Sequence, residues 1–207
     1  MGVKERRLRE KESLREEILA AARDIFIHEG YDGLSMRRVA DKIEYSPTAI
    51  YLHFKDKSEL VFSLCQESFA RLNQQMQSLL KEEADPMTRL RRGLRTYVDF
   101  GLRNPWHYLV AFVVPHDHSD PGEYERYTSP ESNGMQAFAV LQGSVEECAR
   151  RGILKRVDAD LASRTLWAAV HGITSLLLVH EKFPWGDREK LIDTVIDSMI
   201  DGLKVQA

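Results

Sequence analysis

The sequence predicts an all-α fold of about nine helices. Apolar residues recur every three to four positions over most of the chain, which is the spacing of one helix face. Proline follows serine or aspartate at residues 46–47 and 85–86, and its missing N–H suits the first turn of a helix. With 207 residues, 43% hydrophobic and 29% charged, the composition is that of a soluble globular protein with one large or two small domains.

The first predicted helix runs from about Ser13 to Glu29. Its apolar residues fall on one stripe, and Gly30 is placed to end it. The stripe consists of Leu14, Ile18, Ala21, Ala22, Ile25 and Phe26.

Two short helices joined by a tight turn are predicted next, within residues 35–57. Ser35 can cap the first, and Ser46-Pro47 opens the second, which ends near Leu52 and turns Ile50 inward. The residues predicted to face outward are Thr48, Tyr51 and His53. Because a short helix held by its neighbours can present polar side chains to the major groove of DNA, this pattern indicates a helix-turn-helix.

Three segments of this stretch carry a resemblance to a known family. They are Leu34-Ser35-Met36-Arg37-Arg38-Val39-Ala40, Ser46-Pro47-Thr48-Ala49-Ile50-Tyr51 and His53-Phe54-Lys55-Asp56-Lys57-Ser58-Glu59-Leu60. With them, the chain from about Leu14 to Phe62 resembles the DNA-binding domain of the tetracycline-repressor (TetR) family. The resemblance implies an all-helical protein whose N-terminal helices bind DNA and whose C-terminal helices dimerise and bind a ligand.

The chain departs from the family pattern in two ways. Glu44 stands in the turn where the family most often has glycine, so we expect a slightly different turn. Pro47 and Thr48 stand where lysine and glycine are frequent, so we expect an altered base or phosphate contact.

The predicted DNA-binding domain covers residues 1–60, and residues 61–207 form the ligand-binding and dimerisation domain. The candidate DNA contacts are Arg37, Arg38, Ser46, Pro47, Thr48, Tyr51, His53, Lys55 and Lys57. Serine and lysine near helix starts suit phosphates, and arginine reaches phosphate or a guanine edge. Tyr51 has an alternative role in packing on Phe54, but the family pattern favours a phosphate contact.

Charge is distributed unevenly along the predicted DNA-binding domain. Residues 1–60 hold equal numbers of basic and acidic residues, and the whole chain carries a formal charge of −3. A neutral domain is weaker evidence for DNA binding than a basic one. Residues 1–11 form a basic segment that we expect to be a flexible arm touching phosphates or the minor groove, with a solvated tail as the alternative. Its basic residues are Lys4, Arg6, Arg7, Arg9 and Lys11.

A long helix is predicted to link the two domains, over about residues 57–83. No proline or glycine interrupts it, so motion at one end should reach the other. Further helices are predicted at about 86–102, 104–115, 130–152, 158–180 and 187–204. Residues 116–130, rich in proline, glycine, aspartate and serine, are predicted to form a long loop.

The last two helices, about 158–180 and 187–204, carry more apolar surface than one partner can cover. The resemblance implies that they form a four-helix bundle across the two-fold axis of a homodimer. The alternative is the core of a monomer.

Trp167-Ala-Ala-Val-His171-Gly172 resembles the Trp-His-Gly signature of one subgroup of TetR C-terminal domains. Pockets between the helices of a bundle are commonly apolar with a few polar groups. The candidate ligand-binding residues are Tyr97, Phe100, Trp106, Tyr108, Phe112, Met135, Phe138, Trp167 and His171. Each alone is more often a core residue, but together they suit a small hydrophobic or aromatic effector.

Other classes of protein are disfavoured. His116 and His118 could contribute to a metal site, but structural sites need four well-placed ligands, so we expect no metal and no cofactor. No histidine follows a glutamate at the spacing of a di-iron motif, which argues against an enzyme on a helical bundle. No stretch is long and apolar enough to span a membrane. Cys65 and Cys148 make no disulfide framework, which favours the cytoplasm.

The sequence therefore predicts a ligand-responsive DNA-binding regulator of transcription. We expect a homodimeric repressor that an effector releases from a palindromic operator in double-stranded DNA. The alternatives are a helical small-molecule sensor that has lost DNA binding and, less favoured, a helical-bundle enzyme.

Overall fold

The computed structural model describes residues 2–81, 84–112, 121–155 and 158–205. Apart from an isolated bridge between Leu154 and Lys204, the regular structure of these residues is helical, which confirms the predicted all-α class. The helices are α1 (Val3–Gly33), α2 (Met36–Lys42), α3 (Pro47–Tyr51), α4 (Lys57–Leu80), α5 (Pro86–Arg103), α6 (Pro105–Phe112), α7 (Pro121–Thr128), α8 (Asn133–Arg150), α9 (Ala159–Val179) and α10 (Arg188–Leu203).

Helix α1 begins earlier than the sequence predicted. It starts at Val3, so most of the segment expected to be a flexible arm is helical here. The reason is local, because lysine, arginine, glutamate and leucine favour helix and Arg6 pairs with Glu10 one turn later. Near the other end, Gly30 interrupts the helical conformation with φ of +71° where the sequence predicted the helix to stop, and residues 31–33 continue it after this kink.

The N-terminal core is formed by α1, α2, α3 and the first half of α4. Ile18, Val39, Ile50 and Leu60 are completely buried in it. The very short α3 therefore keeps its shape because Ile50 is anchored in a core that the longer helices build.

Helix α4 belongs to both halves of the chain. Its 24 residues extend about 36 Å at 1.5 Å per residue. Leu60 and Leu64 lie in the N-terminal core, whereas Leu72 lies in the core formed mainly by α5, α8, α9 and α10. A displacement of this helix therefore reaches both cores.

The second core is apolar inside and fastened by ion pairs at one edge. Leu94, Leu166 and Ile196 are buried at the contact of α5, α9 and α10. Two arginines of α5 reach acidic residues of α10, with Arg91 Nε 2.6 Å from Asp197 Oδ1 and Arg95 3.1 Å from Asp193 Oδ1. These pairs fix the register of α5 against α10.

The loop predicted at residues 116–130 is partly helical. Helix α7 occupies Pro121–Thr128, where proline suits the first turn and the following glutamate and arginine residues tolerate helix. The sequence did not predict this helix because the stretch has the composition of a loop. The predicted metal-site candidates His116 and His118 lie outside the described residues.

Candidate DNA-binding surface and ligand cavity

Side-chain hydrogen bonds cap the N-termini of α2, α3 and α4. Ser35 Oγ accepts a hydrogen bond from the Arg38 N–H at 3.2 Å, and Ser46 Oγ accepts one from the Ala49 N–H at 3.3 Å. Asp56 Oδ1 accepts from the Glu59 N–H at 2.8 Å and starts α4. The caps at Ser35 and Ser46 are the ones predicted from the sequence.

The turn between α2 and α3 contains a residue with left-handed backbone dihedrals, although that residue is Glu44 and not glycine. Glu44 has φ of +59°, and the Tyr45 N–H donates to the Ala40 carbonyl at 3.0 Å. The expectation of a different turn was therefore wrong. The surrounding helices hold Glu44 in a conformation that glycine adopts at lower cost.

One face of the motif is exposed and unobstructed. Tyr51 is 54% exposed, while Phe54 is buried, so more than half of the Tyr51 side chain is open to solvent. The predicted contacts at exposed positions are Arg37, Arg38, Ser46, Pro47, Thr48, Tyr51 and Lys55.

Sequence reasoning missed two exposed residues beside these. Tyr45 is 44% exposed and Leu52 is 75% exposed, one on each side of α3. The available signal was helical phase, because neither lies on the side of Ile50. An apolar side chain here suits the methyl group of thymine.

Two of the predicted DNA contacts, Arg38 and Lys57, have structural partners within the domain. The Arg38 guanidinium donates to the Gly33 carbonyl at 2.9 Å and pairs with the Glu29 carboxylate. Lys57 Nζ donates to the Tyr31 carbonyl at 2.7 Å and lies 3.6 Å from the centre of the Tyr31 ring. Burial lowers the pKa of Lys57. Both cations thus join α1 to the helices that follow.

His53 is a predicted DNA contact that lies partly inside the domain. Its side chain is half-buried and its Nδ1 has no hydrogen-bond partner within the described structure. Burial, and then the nearby Lys11 and Arg15, lower the pKa of His53. A neutral imidazole at this place does not act as a phosphate-binding cation at pH 7.

A cavity of about 530 Å³ lies between α4, α5, α6, α8 and α9. Its wall is mainly aliphatic and aromatic, and Arg164 is a cation in its lining. Its volume falls in the usual range for small-molecule sites. Five predicted ligand residues line it: Tyr97, Phe112, Met135, Phe138 and Trp167.

The other four predicted ligand residues do not line this cavity. Phe100 and Tyr108 are buried in the core, and Trp106 packs on His107 with ring centres 3.6 Å apart. His171 lies behind the wall, where its Nδ1 is 2.7 Å from the Tyr108 hydroxyl and 3.0 Å from the Tyr97 hydroxyl. The sequence alone could not distinguish cavity-lining residues from core residues, because both kinds of position are occupied by apolar side chains.

These hydroxyls form a closed polar cluster behind the wall. The Trp167 indole N–H donates to the Tyr97 hydroxyl at 3.3 Å, and the Tyr108 hydroxyl is 3.0 Å from the His171 carbonyl. Burial raises the pKa of both tyrosines and lowers that of His171, so all three side chains are neutral at pH 7. The cluster orients two wall residues, Tyr97 and Trp167.

Helix α6 joins the cavity to the N-terminal core. Ala111 and Phe112 line the cavity, while the neighbouring Val110 is buried in the N-terminal core. Val110 also accepts a hydrogen bond at its carbonyl from Cys65 Sγ of α4, at 2.8 Å. The Trp106 ring lies 5.5 Å from the guanidinium carbon of Arg23 in α1.

Comparison with known proteins places these two halves in one family. Residues 18–64 match "Bacterial regulatory proteins, tetR family", and residues 90–203 match "Tetracyclin repressor-like, C-terminal domain". The chain belongs to the TetR family. Its helix-turn-helix lies within the first match, and most of the cavity wall lies within the second.

Individual TetR-type relatives are regulators of transcription. The transcriptional activator FasR of Mycolicibacterium smegmatis is 25% identical over 194 residues, which cover 93% of this chain and 80% of FasR. The transcriptional repressor AcnR of Corynebacterium diphtheriae is 41% identical over 58 residues, 28% of this chain and 30% of AcnR.

Solved structures agree on the fold. FadR of Bacillus subtilis, solved in complex with stearoyl-CoA, superposes with a TM-score of 0.72 at 18% identity, over 91% of this chain and 98% of FadR. A Rhodococcus sp. RHA1 protein superposes with a TM-score of 0.74 at 23% identity, over 93% and 96% of the two chains.

Membership of the TetR family confirms the predicted function at its general level. The chain is a ligand-responsive DNA-binding regulator of transcription. Across the described residues, no helix is long and apolar enough to cross a membrane.

Proposed function

We propose that this TetR-family regulator is a homodimeric repressor that a mainly apolar effector releases from a palindromic operator. The observation that carries the proposal is the position of α6, which contributes Phe112 to the cavity and Val110 to the core of the DNA-binding half. A ligand that fills the cavity contacts the same helix that packs against the core of the helix-turn-helix.

The coupling follows from packing. Helix α6 is fastened to α4 through His107, whose Nδ1 is 2.7 Å from Ser68 Oγ, and through Val110 and Cys65. A ligand that displaces Phe112 therefore displaces α4 and, through Trp106 and Arg23, α1. The two DNA-binding domains of the dimer can adopt a spacing that fits DNA and one that does not. To release the DNA, the ligand needs to bind the second arrangement more tightly by only a few kcal/mol.

The dimer is proposed to form through α9 and α10. Leu161, Leu176 and Val179 of α9 are 63%, 44% and 56% exposed, with small residues between them that permit close approach of a second helix. An isologous contact of this face across a two-fold axis would place two copies of α3 on successive major-groove faces of a palindrome.

The effector is proposed to be largely apolar. Leu72, Leu94, Phe112 and Val170 line the cavity together with other hydrophobic side chains, and such a wall offers a strongly polar molecule little to replace its water. The B. subtilis relative that was solved with stearoyl-CoA has the same fold.

The test is a gel-shift and footprint experiment on DNA flanking the gene that encodes the chain. We expect a palindromic footprint whose affinity falls steeply with salt, with a log–log slope of about 0.9 for each phosphate neutralised. Tyr51→Ala should weaken operator binding about tenfold or more, because its exposed ring and hydroxyl face the proposed groove.

Tyr51→Phe is the matched variant, since it keeps the ring and removes only the hydroxyl. Circular dichroism should show that both variants are folded. Unchanged operator affinity in Tyr51→Ala would show that the proposed recognition surface is wrong.

A further inference from the structure

A second compartment adjoins the cavity along α8. This groove, of about 580 Å³, lies between α4, α5 and α8, and Val140 and Ser144 line both it and the cavity. The two residues are one turn apart on the same face of α8. The groove differs chemically from the cavity, since it adds four polar residues: Gln77, Arg89, Gln136 and Glu147.

Arg89 has unused hydrogen-bonding capacity in this groove. One of its terminal nitrogens donates to the Ala84 carbonyl at 2.8 Å, but its buried Nε has no hydrogen-bond partner among the described residues. A buried donor without a partner is costly, so this nitrogen is available to a partner from outside the chain, either water or a ligand.

The carboxylates near Arg89 are already engaged. Glu147 pairs with Arg150 and with Arg151, the latter at 2.6 Å, and these arginines lower the pKa of Glu147. Asp85 accepts the N–H groups of Met87 and Thr88 as the cap of α5. Within the described structure Arg89 forms no ion pair, so it is the cation of the groove that is free to bind an anion.

We propose that the cavity and the groove form one site for a long single-chain amphiphile with an anionic head. The alkyl chain occupies the cavity between Leu94, Phe112 and Phe138, and the head lies in the groove at Arg89. This inference rests on the proposed function, because it names the chemical class of the effector.

Two helical glycines support a site that spans both compartments. Gly93 lines the cavity and Gly143 lines the groove, and a Cβ at either position would meet no atom within 4 Å. Glycine inside a helix costs about 1 kcal/mol relative to alanine. Each glycine widens one compartment at a position where a larger side chain would fit without a clash.

The test compares two probes of equal chain length, dodecanoate and dodecan-1-ol, on the full-length protein by titration calorimetry. We expect the wild-type protein to bind dodecanoate about tenfold more tightly than the alcohol. Arg89→Gln should remove that preference by weakening dodecanoate alone. Arg103→Gln, an exposed arginine at the other end of α5, is the matched control and should change neither affinity.

Two filling variants test the geometry independently of charge. Gly143→Leu should weaken dodecanoate by obstructing the groove, whereas Gly93→Leu should weaken both probes by filling the cavity. Melting curves show whether each variant is folded. The inference is overturned if the wild-type protein binds neither probe, if it binds both equally, or if Arg89→Gln retains the preference for dodecanoate.

The gel shift separates this inference from the proposed function. A protein that binds palindromic DNA but shows no Arg89-dependent binding of dodecanoate overturns the inference alone. A protein that binds dodecanoate through Arg89 but no DNA overturns the proposed repressor and leaves the ligand site in place.

Discussion

At the scale of single residues, Glu44 shows a local conformation imposed by its surroundings. The caps on Ser35 and Ser46 and the buried Val39 and Ile50 fix both helices, so the residue between them must turn left-handed. A residue with a Cβ adopts that conformation at a cost of about 1 kcal/mol relative to glycine.

We therefore expect Glu44→Gly to stabilise the protein by about 1 kcal/mol, measured as the free energy of unfolding in urea. Glu44→Ala is the control, because alanine removes the carboxylate but keeps the Cβ and should give no such gain. Equal stabilisation by both variants would mean that the carboxylate, and not the backbone conformation, is the source of the cost.

At the same scale, the exposure of some candidate DNA-contact residues could be predicted from the sequence. Exposure of Thr48 and Tyr51 followed from helical phase, and the structure has both on the open face. The roles of Arg38 and Lys57 did not, because their partners, Glu29 and the Tyr31 carbonyl, are brought to them only when α1 folds back on the motif.

At the scale of helices, the sequence predicted most elements because their apolar spacing and caps are local signals. Helix α7 was missed because its stretch has the composition of a loop, and the start of α1 was missed because an exposed charged helix has no apolar stripe. The division between cavity wall and core was not predictable, since Phe112 and Phe100 differ only in which neighbours they meet.

Helix α6 carries a buried histidine, His107, and protonation of this side chain would disfavour the packing of α6 against α4. His107 is 4% exposed, and Ser68 Oγ donates to the Leu64 carbonyl, so the imidazole donates its Nδ1 proton to that hydroxyl. Burial, followed by Arg71 and Arg23, lowers the pKa of His107 from 6.5 to about 4. The folded protein therefore holds this histidine neutral.

The sign of the pH effect follows from this lowered pKa. As pH falls from 6.5 to about 4, the unfolded chain gains a proton at His107 that the folded chain does not, so the folded state loses about 3 kcal/mol of stability. Above pH 6.5 this contribution is fully present. Urea unfolding of the wild-type protein and of His107→Gln at pH 7 and pH 4.5 measures the loss.

The stability of His107→Gln should depend on pH only through other groups. One of these is His171, because burial lowers its pKa as well. An identical loss of stability in both proteins would show that α6 is not the element that responds to acid.

At the scale of the whole molecule, α4 and α6 contribute residues to both cores, so a displacement of either helix reaches both halves. In a single chain, apolar side chains of α9 are exposed to solvent. Leu161 and Val179 are more than half exposed at opposite ends of that helix, and monomeric soluble proteins rarely leave such extended apolar surfaces in water.

We expect Leu161→Glu to convert the proposed dimer into a monomer. A carboxylate buried at an isologous interface meets apolar surface and, near the two-fold axis, its own copy, and the dissociation constant should rise roughly hundredfold or more. Sedimentation equilibrium measures the change.

Leu8→Glu is the matched control, because Leu8 is 58% exposed on α1 while Leu161 is 63% exposed on α9. The control should remain dimeric. Loss of the dimer should also abolish the palindromic footprint at protein concentrations where the wild-type protein is bound, since one recognition helix reads only half of the site. A Leu161→Glu protein that sediments as a dimer would show that the two copies meet through a different surface.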